Sequence, residues 1–161
     1  MATDTTVYDT EDFWQSIPET NNQVPHGGSG GWLQYEQFEN LMHENETIQQ
    51  DIAGAFRSIC ARPRVFVGRR GEAVEFLLLH HTLSAELGLW LAPAQRGKRL
   101  ATAWLKAALL SIDWSQSQLL MATCPNFDSA SARAFINAGF RVLAEQEQQI
   151  VLCLYRPHEV D

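Results

Sequence analysis

Ala85-Glu-Leu-Gly-Leu-Trp-Leu-Ala-Pro-Ala-Gln-Arg-Gly-Lys-Arg-Leu-Ala-Thr-Ala-Trp-Leu105 reads as an apolar strand, a tight basic turn and an amphipathic helix. Arg96, Lys98 and Arg99 surround Gly97 where the helix begins. The first turn of a helix presents unpaired N–H groups and a partial positive charge. Cations placed there oppose the helix dipole, so three together point to an anionic ligand rather than to a solvated helix start. A glycine lets backbone approach closely, and the turn suits a pyrophosphate.

The 161 residues suit one domain with its own hydrophobic core. With 45% hydrophobic and 19% charged residues, the composition is that of a soluble globular protein. No apolar run approaches the roughly 20 residues that cross a bilayer. No basic-then-apolar leader opens the sequence, so the expected location is cytoplasmic, with no membrane partner. Cys60, Cys124 and Cys153 are odd in number and widely spaced. They form no disulfide framework and no CxxC clip, and no metal site is expected. The net charge of −7 is unevenly spread: residues 1–62 hold ten acidic side chains against two basic ones. An acidic chain argues against nucleic acid as a partner.

Outward from the opening stretch, the patterning alternates strands and helices. A short strand at Val7-Tyr8 and a helix over Glu11–Ile17, capped by Thr10, come first. Pro18 to Gly31, with Gly27-Gly-Ser-Gly-Gly31, reads as a loop. Gln34–Ala61 is expected to be helical in two pieces, with Phe38, Met42, Ile48, Ile52, Phe56 and Ile59 among the inward residues. Strands follow at Arg64–Val67, Val74–His80 and Leu83–Leu91, the first pair joined by a hairpin at Gly68–Gly71. Leu100–Ile112 is a helix that turns Leu100, Trp104, Ala107, Ala108 and Leu110 to the sheet. Leu119–Thr123 is a buried strand and Ser129–Ala138 a helix closed by Gly139. Phe140–Ala144 and Gln149–Tyr155 finish as strands. The order predicts an α/β fold with a mixed sheet.

Two motifs resemble the GNAT superfamily of N-acetyltransferases, closest to the branch that acetylates ribosomal-protein N-termini. One is Ala85-Glu-Leu-Gly-Leu-Trp-Leu-Ala-Pro followed by Arg96-Gly-Lys-Arg-Leu-Ala101. The other is Asp128-Ser-Ala-Ser-Ala-Arg-Ala-Phe-Ile-Asn-Ala-Gly-Phe140, similar to N-x-x-S-x-R-x-x-E-K-x-G-F. The match spans about Arg64 to Tyr155. The resemblance implies a mostly antiparallel sheet of six to seven strands with helices on both faces. It implies one domain over 1–161, with 1–62 as the acceptor side and 63–156 as the cofactor-binding core. Acetyl-CoA would be the co-substrate, its pantetheine in a gap between Leu83–Leu91 and Leu119–Thr123. The implied cofactor residues are Trp90, Leu91 and Ala92 for pantetheine, and Arg96, Gly97, Lys98, Arg99, Leu100, Ala101 and Thr102 for the pyrophosphate. Asp128, Ser131 and Arg133 occupy the second motif. Glu86 is the leading general base, on the strand bordering the thioester. His80 or His81 is the other candidate, and strand alternation lets only one of them reach the cleft.

Three positions depart from the family pattern. Arg99 replaces a usual glycine, Asp128 a usual asparagine, and Phe135 a tyrosine that protonates the leaving thiolate in many relatives. They motivate a second reading, a GNAT-fold binding or assembly protein with weak or no turnover. The acidic first third favours a cationic amine acceptor, such as a protein N-terminus or lysine, a polyamine or an amino sugar. A homodimer stays open.

Overall fold

The computed structural model describes residues 24–25, 27–53, 63–82 and 84–157. The readings for Val7-Tyr8, Glu11–Ile17 and the stretch beyond Ala53 to Arg62 lie outside them. Seven strands form one sheet in the order β1-β2-β3-β4-β5-β7-β6. They are β1 (Gly28–Leu33), β2 (Arg64–Arg70), β3 (Ala73–His81), β4 (Glu86–Leu91), β5 (Leu119–Cys124), β6 (Arg141–Gln146) and β7 (Gln149–Tyr155). Only the β4–β5 pair is parallel among these neighbours. Four α-helices are described: α1 (Tyr35–His43), α2 (Glu46–Ala53), α3 (Leu100–Leu110) and α4 (Ala130–Asn137). The architecture is the expected mixed, mostly antiparallel one.

Helices cover both faces. Phe38, Met42, Ile48 and Ile52 of α1 and α2 pack with Val65, Leu77, Leu79 and Trp90. Trp104 and Leu105 of α3 and Phe135 of α4 pack with Phe66, Phe76, Leu78, Leu120 and Leu152 on the other side. Leu110 does not face the sheet: it is 62% exposed, because the helix has turned it outward by its last residue.

Gly28–Leu33 is a strand, not the expected loop, and pairs along its whole length with β2. The reason is the indole of Trp104, which is fully buried and stacked on Phe76 with centroids 6.2 Å apart. A Cβ on Gly28 would lie 2.8 Å from that ring, one on Gly30 2.5 Å from Phe66, and one on Gly68 2.6 Å from the indole. Glycines here are clearance for aromatic rings rather than turn signals. Gly68 therefore sits inside β2, and the hairpin turn moves to Gly71-Glu72. β4 likewise starts at Glu86, later than expected, because Ala85 adopts a left-handed turn conformation (φ 63°); Leu83 lies outside the described residues.

Candidate active site

β4 and β5 pair through only two positions, Glu86 with Met121 and Leu87 with Ala122. Beyond them the strands part. Two hydrogen bonds fix which groups face the opening. Ala92 N–H donates to Glu75 O at 2.8 Å, and Met121 N–H donates to Ala85 O at 2.9 Å. Antiparallel alternation then sends the even-numbered groups of β4 toward β3 and the odd-numbered ones toward β5. Leu89 and Leu91 present their backbone to the gap.

The turn after β4 ends at α3 with no side-chain cap and no acidic residue in the first turn. By contrast, α4 is closed by Ser129, whose Oγ accepts from Ala132 N–H at 3.2 Å. The first-turn N–H groups of α3 are therefore left to an outside acceptor. Gly97 (φ 81°) and Arg99 (φ 61°) both take left-handed conformations. At Arg99 this costs an L-residue roughly 1–2 kcal/mol relative to ordinary backbone. A glycine would take this conformation without that cost, and Arg99 takes it with one.

A cavity of about 1490 Å³ opens over this turn, between β4, α3 and α4. Its charged lining residues are Arg96, Arg99, Lys106 and Arg133, all cationic. Arg96 Nε also donates to Leu91 O at 3.0 Å, bracing the turn against the end of β4.

Solved structures share this architecture at low sequence identity. The ribosomal-protein-S5-alanine acetyltransferase from Vibrio fischeri is 11% identical, over 81% of this chain and 94% of that one, with TM-score 0.57. A putative acetyltransferase from Salmonella typhimurium, solved with its cofactor acetyl-CoA, is 12% identical over 84% and 98%, with TM-score 0.55. An N-acetyltransferase from Campylobacter jejuni, in complex with acetyl coenzyme A, is 10% identical over 80% and 99%, with TM-score 0.53. The chain has the GNAT N-acetyltransferase fold. No protein-family model and no curated protein matches the sequence.

Within this GNAT fold, Trp90, Leu91, Arg96, Gly97, Arg99, Leu100, Ala101, Thr102, Ser131 and Arg133 line the cavity together. Lys98, Ala92 and Asp128 do not. The Ala92 N–H is held by β3, and strand parity turns the Trp90 backbone toward β3 as well. Leu89 replaces these two as the gap-facing position. Asp128 is exposed, and its N–H donates to Asn126 Oδ1 at 2.9 Å within the turn that leads into α4. Phe135 is buried against Phe140, with centroids 4.9 Å apart, and offers no proton.

The histidine pair resolves differently from expectation. His80 is fully buried and registers with Leu87, on the α3–α4 face. It is not at the opening, and neither ring nitrogen has a partner among the described residues. His81 registers with Glu86, on the α1–α2 face. Burial lowers the His81 pKa, and the nearby Glu86 carboxylate opposes that shift. Glu86 itself is exposed, one position before the strands part. Sequence reasoning missed Lys106, although it is the only charged residue of α3. A lone lysine on an apolar helix, facing the same way as the basic turn, was the available signal.

His80 makes stability pH-dependent. Burial, then the Arg64 charge, lowers its pKa to about 4, while Asp113 and His81 have smaller, opposing effects on it. The unfolded chain binds a proton near 6.5, the folded one only near 4, so this contribution is complete above the unfolded value. It is lost as pH falls through that window, by about 3 kcal/mol in all. Thermal melts at pH 7 and pH 4.5 are expected to show a smaller drop for His80→Leu than for the wild type. An equal drop in both would remove His80 as the cause.

Proposed function

We propose that the chain transfers an acetyl group from acetyl-CoA to a primary amine by direct attack. The observation that carries this reading is the cavity over the uncapped start of α3, whose charged lining is entirely cationic in a chain of net charge −7. Such a surface suits a pyrophosphate. The gap between β4 and β5 leads on from it, and the Leu89 N–H pointing into that gap is placed to polarise a thioester carbonyl. Acetyl-CoA supplies the activated acyl group: the amine nitrogen bonds the carbonyl carbon, the C–S bond breaks, and the thiolate leaves. Glu86 accepts the proton that the amine sheds. Solvent protonates the thiolate, since Phe135 has no acidic hydrogen.

The acceptor would approach from the α1–α2 face. Glu36, Glu39, Glu44, Glu46 and Asp51 are exposed there, and Asp51 Oδ2 accepts from Trp90 Nε1 at 3.4 Å. This negative surface favours cationic amines such as protein N-termini, lysines, polyamines and amino sugars. A screen of acetyl-CoA turnover against a panel of such amines, read by free-thiol release, tests the reading. No release with any of them, and no acetyl-CoA binding, would overturn it. Glu86→Gln is expected to lower kcat about 100-fold or more while changing acetyl-CoA affinity less than about twofold. Unchanged kcat would remove Glu86 as the base.

A further inference from the structure

We propose that Lys106 and Arg133 form a clamp for a second phosphate, the 3′-phosphate on the ribose of coenzyme A, and so make the site select coenzyme A over its 3′-dephospho form. The inference rests on the acetyl-CoA reading and extends it to part of the ligand that neither the basic turn nor the strand gap would hold.

The cavity has two cationic groups, not one. Arg96 and Arg99 belong to the turn. Lys106 lies two helical turns farther along α3, about 10 Å from Arg99 at 1.5 Å per residue. Arg133 faces the same cavity from α4. Between them the walls are small: Ala103 on α3 and Ala130 and Ala134 on α4 line the space. Alanines there leave room that larger side chains would fill.

Neither cation is otherwise occupied. Among the described residues, Lys106 and Arg133 make no ion pair and no side-chain hydrogen bond. No carboxylate lines the cavity. Two cations that line one cavity repel, and a dianion bound between them would remove that repulsion. At the start of α4, the Ala132 N–H is already taken by the Ser129 hydroxyl. A phosphate on the same ribose that carries the pyrophosphate is the dianion that coenzyme A brings to that distance.

The test is calorimetric titration of the full chain with coenzyme A and with 3′-dephospho-coenzyme A, at one fixed ionic strength. The wild type is expected to prefer coenzyme A by about tenfold or more. Lys106→Ala should weaken coenzyme A binding several-fold and leave the dephospho form unchanged. Lys106→Ala combined with Arg133→Ala should bring the two affinities together. Equal wild-type affinities for the two ligands would overturn the clamp and leave the acetyl-CoA reading standing. So would a Lys106→Ala variant that weakens both ligands alike. Binding of neither ligand by the wild type would take down the acetyl-CoA reading itself, and the clamp with it.

Discussion

Replacing Gly97 with glutamate is expected to abolish acetyl-CoA binding while leaving the protein folded. A Cβ at Gly97 meets nothing within 4 Å, so the side chain has room. The backbone is less tolerant: φ is 81°, and any L-residue there costs on the order of 1 kcal/mol. That cost falls on an exposed turn and leaves the core intact. The carboxylate, however, lies at the mouth of α3, where the pyrophosphate would sit. A like charge about 4 Å away at an effective dielectric of about 20 opposes binding by about 4 kcal/mol. This corresponds to a loss of several hundred-fold or more in affinity. Gly97→Ala is the control, since it carries the same backbone cost without the charge, and it should bind within a few-fold of wild type. Calorimetric titration of both variants separates the two effects. A glutamate variant that binds as well as the alanine one would disprove the pyrophosphate site.

The second large effect is expected in the core. Gly68→Ala should destabilise the fold by about 3 kcal/mol, lowering the melting temperature by roughly 10 °C. The added methyl group would stand 2.6, 2.7 and 2.8 Å from three atoms of the Trp104 ring. Real carbon atoms do not approach so closely, so the indole or β2 must move. The indole is fully buried, stacked on Phe76 and tilted against Phe66. A rigid ring held on several sides gives way only at high cost. Trp104→Phe removes the fused-ring atoms that clash, at its own cost in lost packing. The double variant should therefore be less destabilised than the sum of the two single ones, by more than about 1 kcal/mol. Strict additivity in denaturant melts would show that Gly68 and Trp104 do not constrain each other.

The same glycines explain where sequence reasoning succeeded and where it failed. Strands β2, β3, β5 and β7 were legible because each carries an uninterrupted apolar run, although β2 continues past its run to Arg70. The basic turn was legible because cations at a helix start contradict the dipole and demand a reason. β1 was hidden, since Gly28, Gly30 and Gly31 carry the composition of a loop. Only the position of a tryptophan more than seventy residues away turns that composition into a strand. The histidines were half legible. Alternation established that His80 and His81 face opposite ways, but not that His80 would be fully buried and outside the cavity lining. Register with β4 decides it, and register is a property of the folded sheet. The backbone of Trp90 and Ala92 failed for the same reason, because direction along a strand follows from hydrogen-bond parity. Lys106 was visible but unremarked, being separated from the turn in sequence and joined to it only by helical geometry.

The parting of β4 and β5 after Leu87 has a kinetic consequence. Where two strands of a sheet part, each face of the sheet borders the gap. For the proposed transfer, the thioester would enter from the α3–α4 side and the amine from the α1–α2 side, so neither partner blocks the other's route. Both can be present at once, and the acyl group never has to wait on the protein between donors. Initial-velocity plots for the proposed transfer would then intersect instead of running parallel, and the spent thiol and the acylated amine would depart on opposite sides of the sheet.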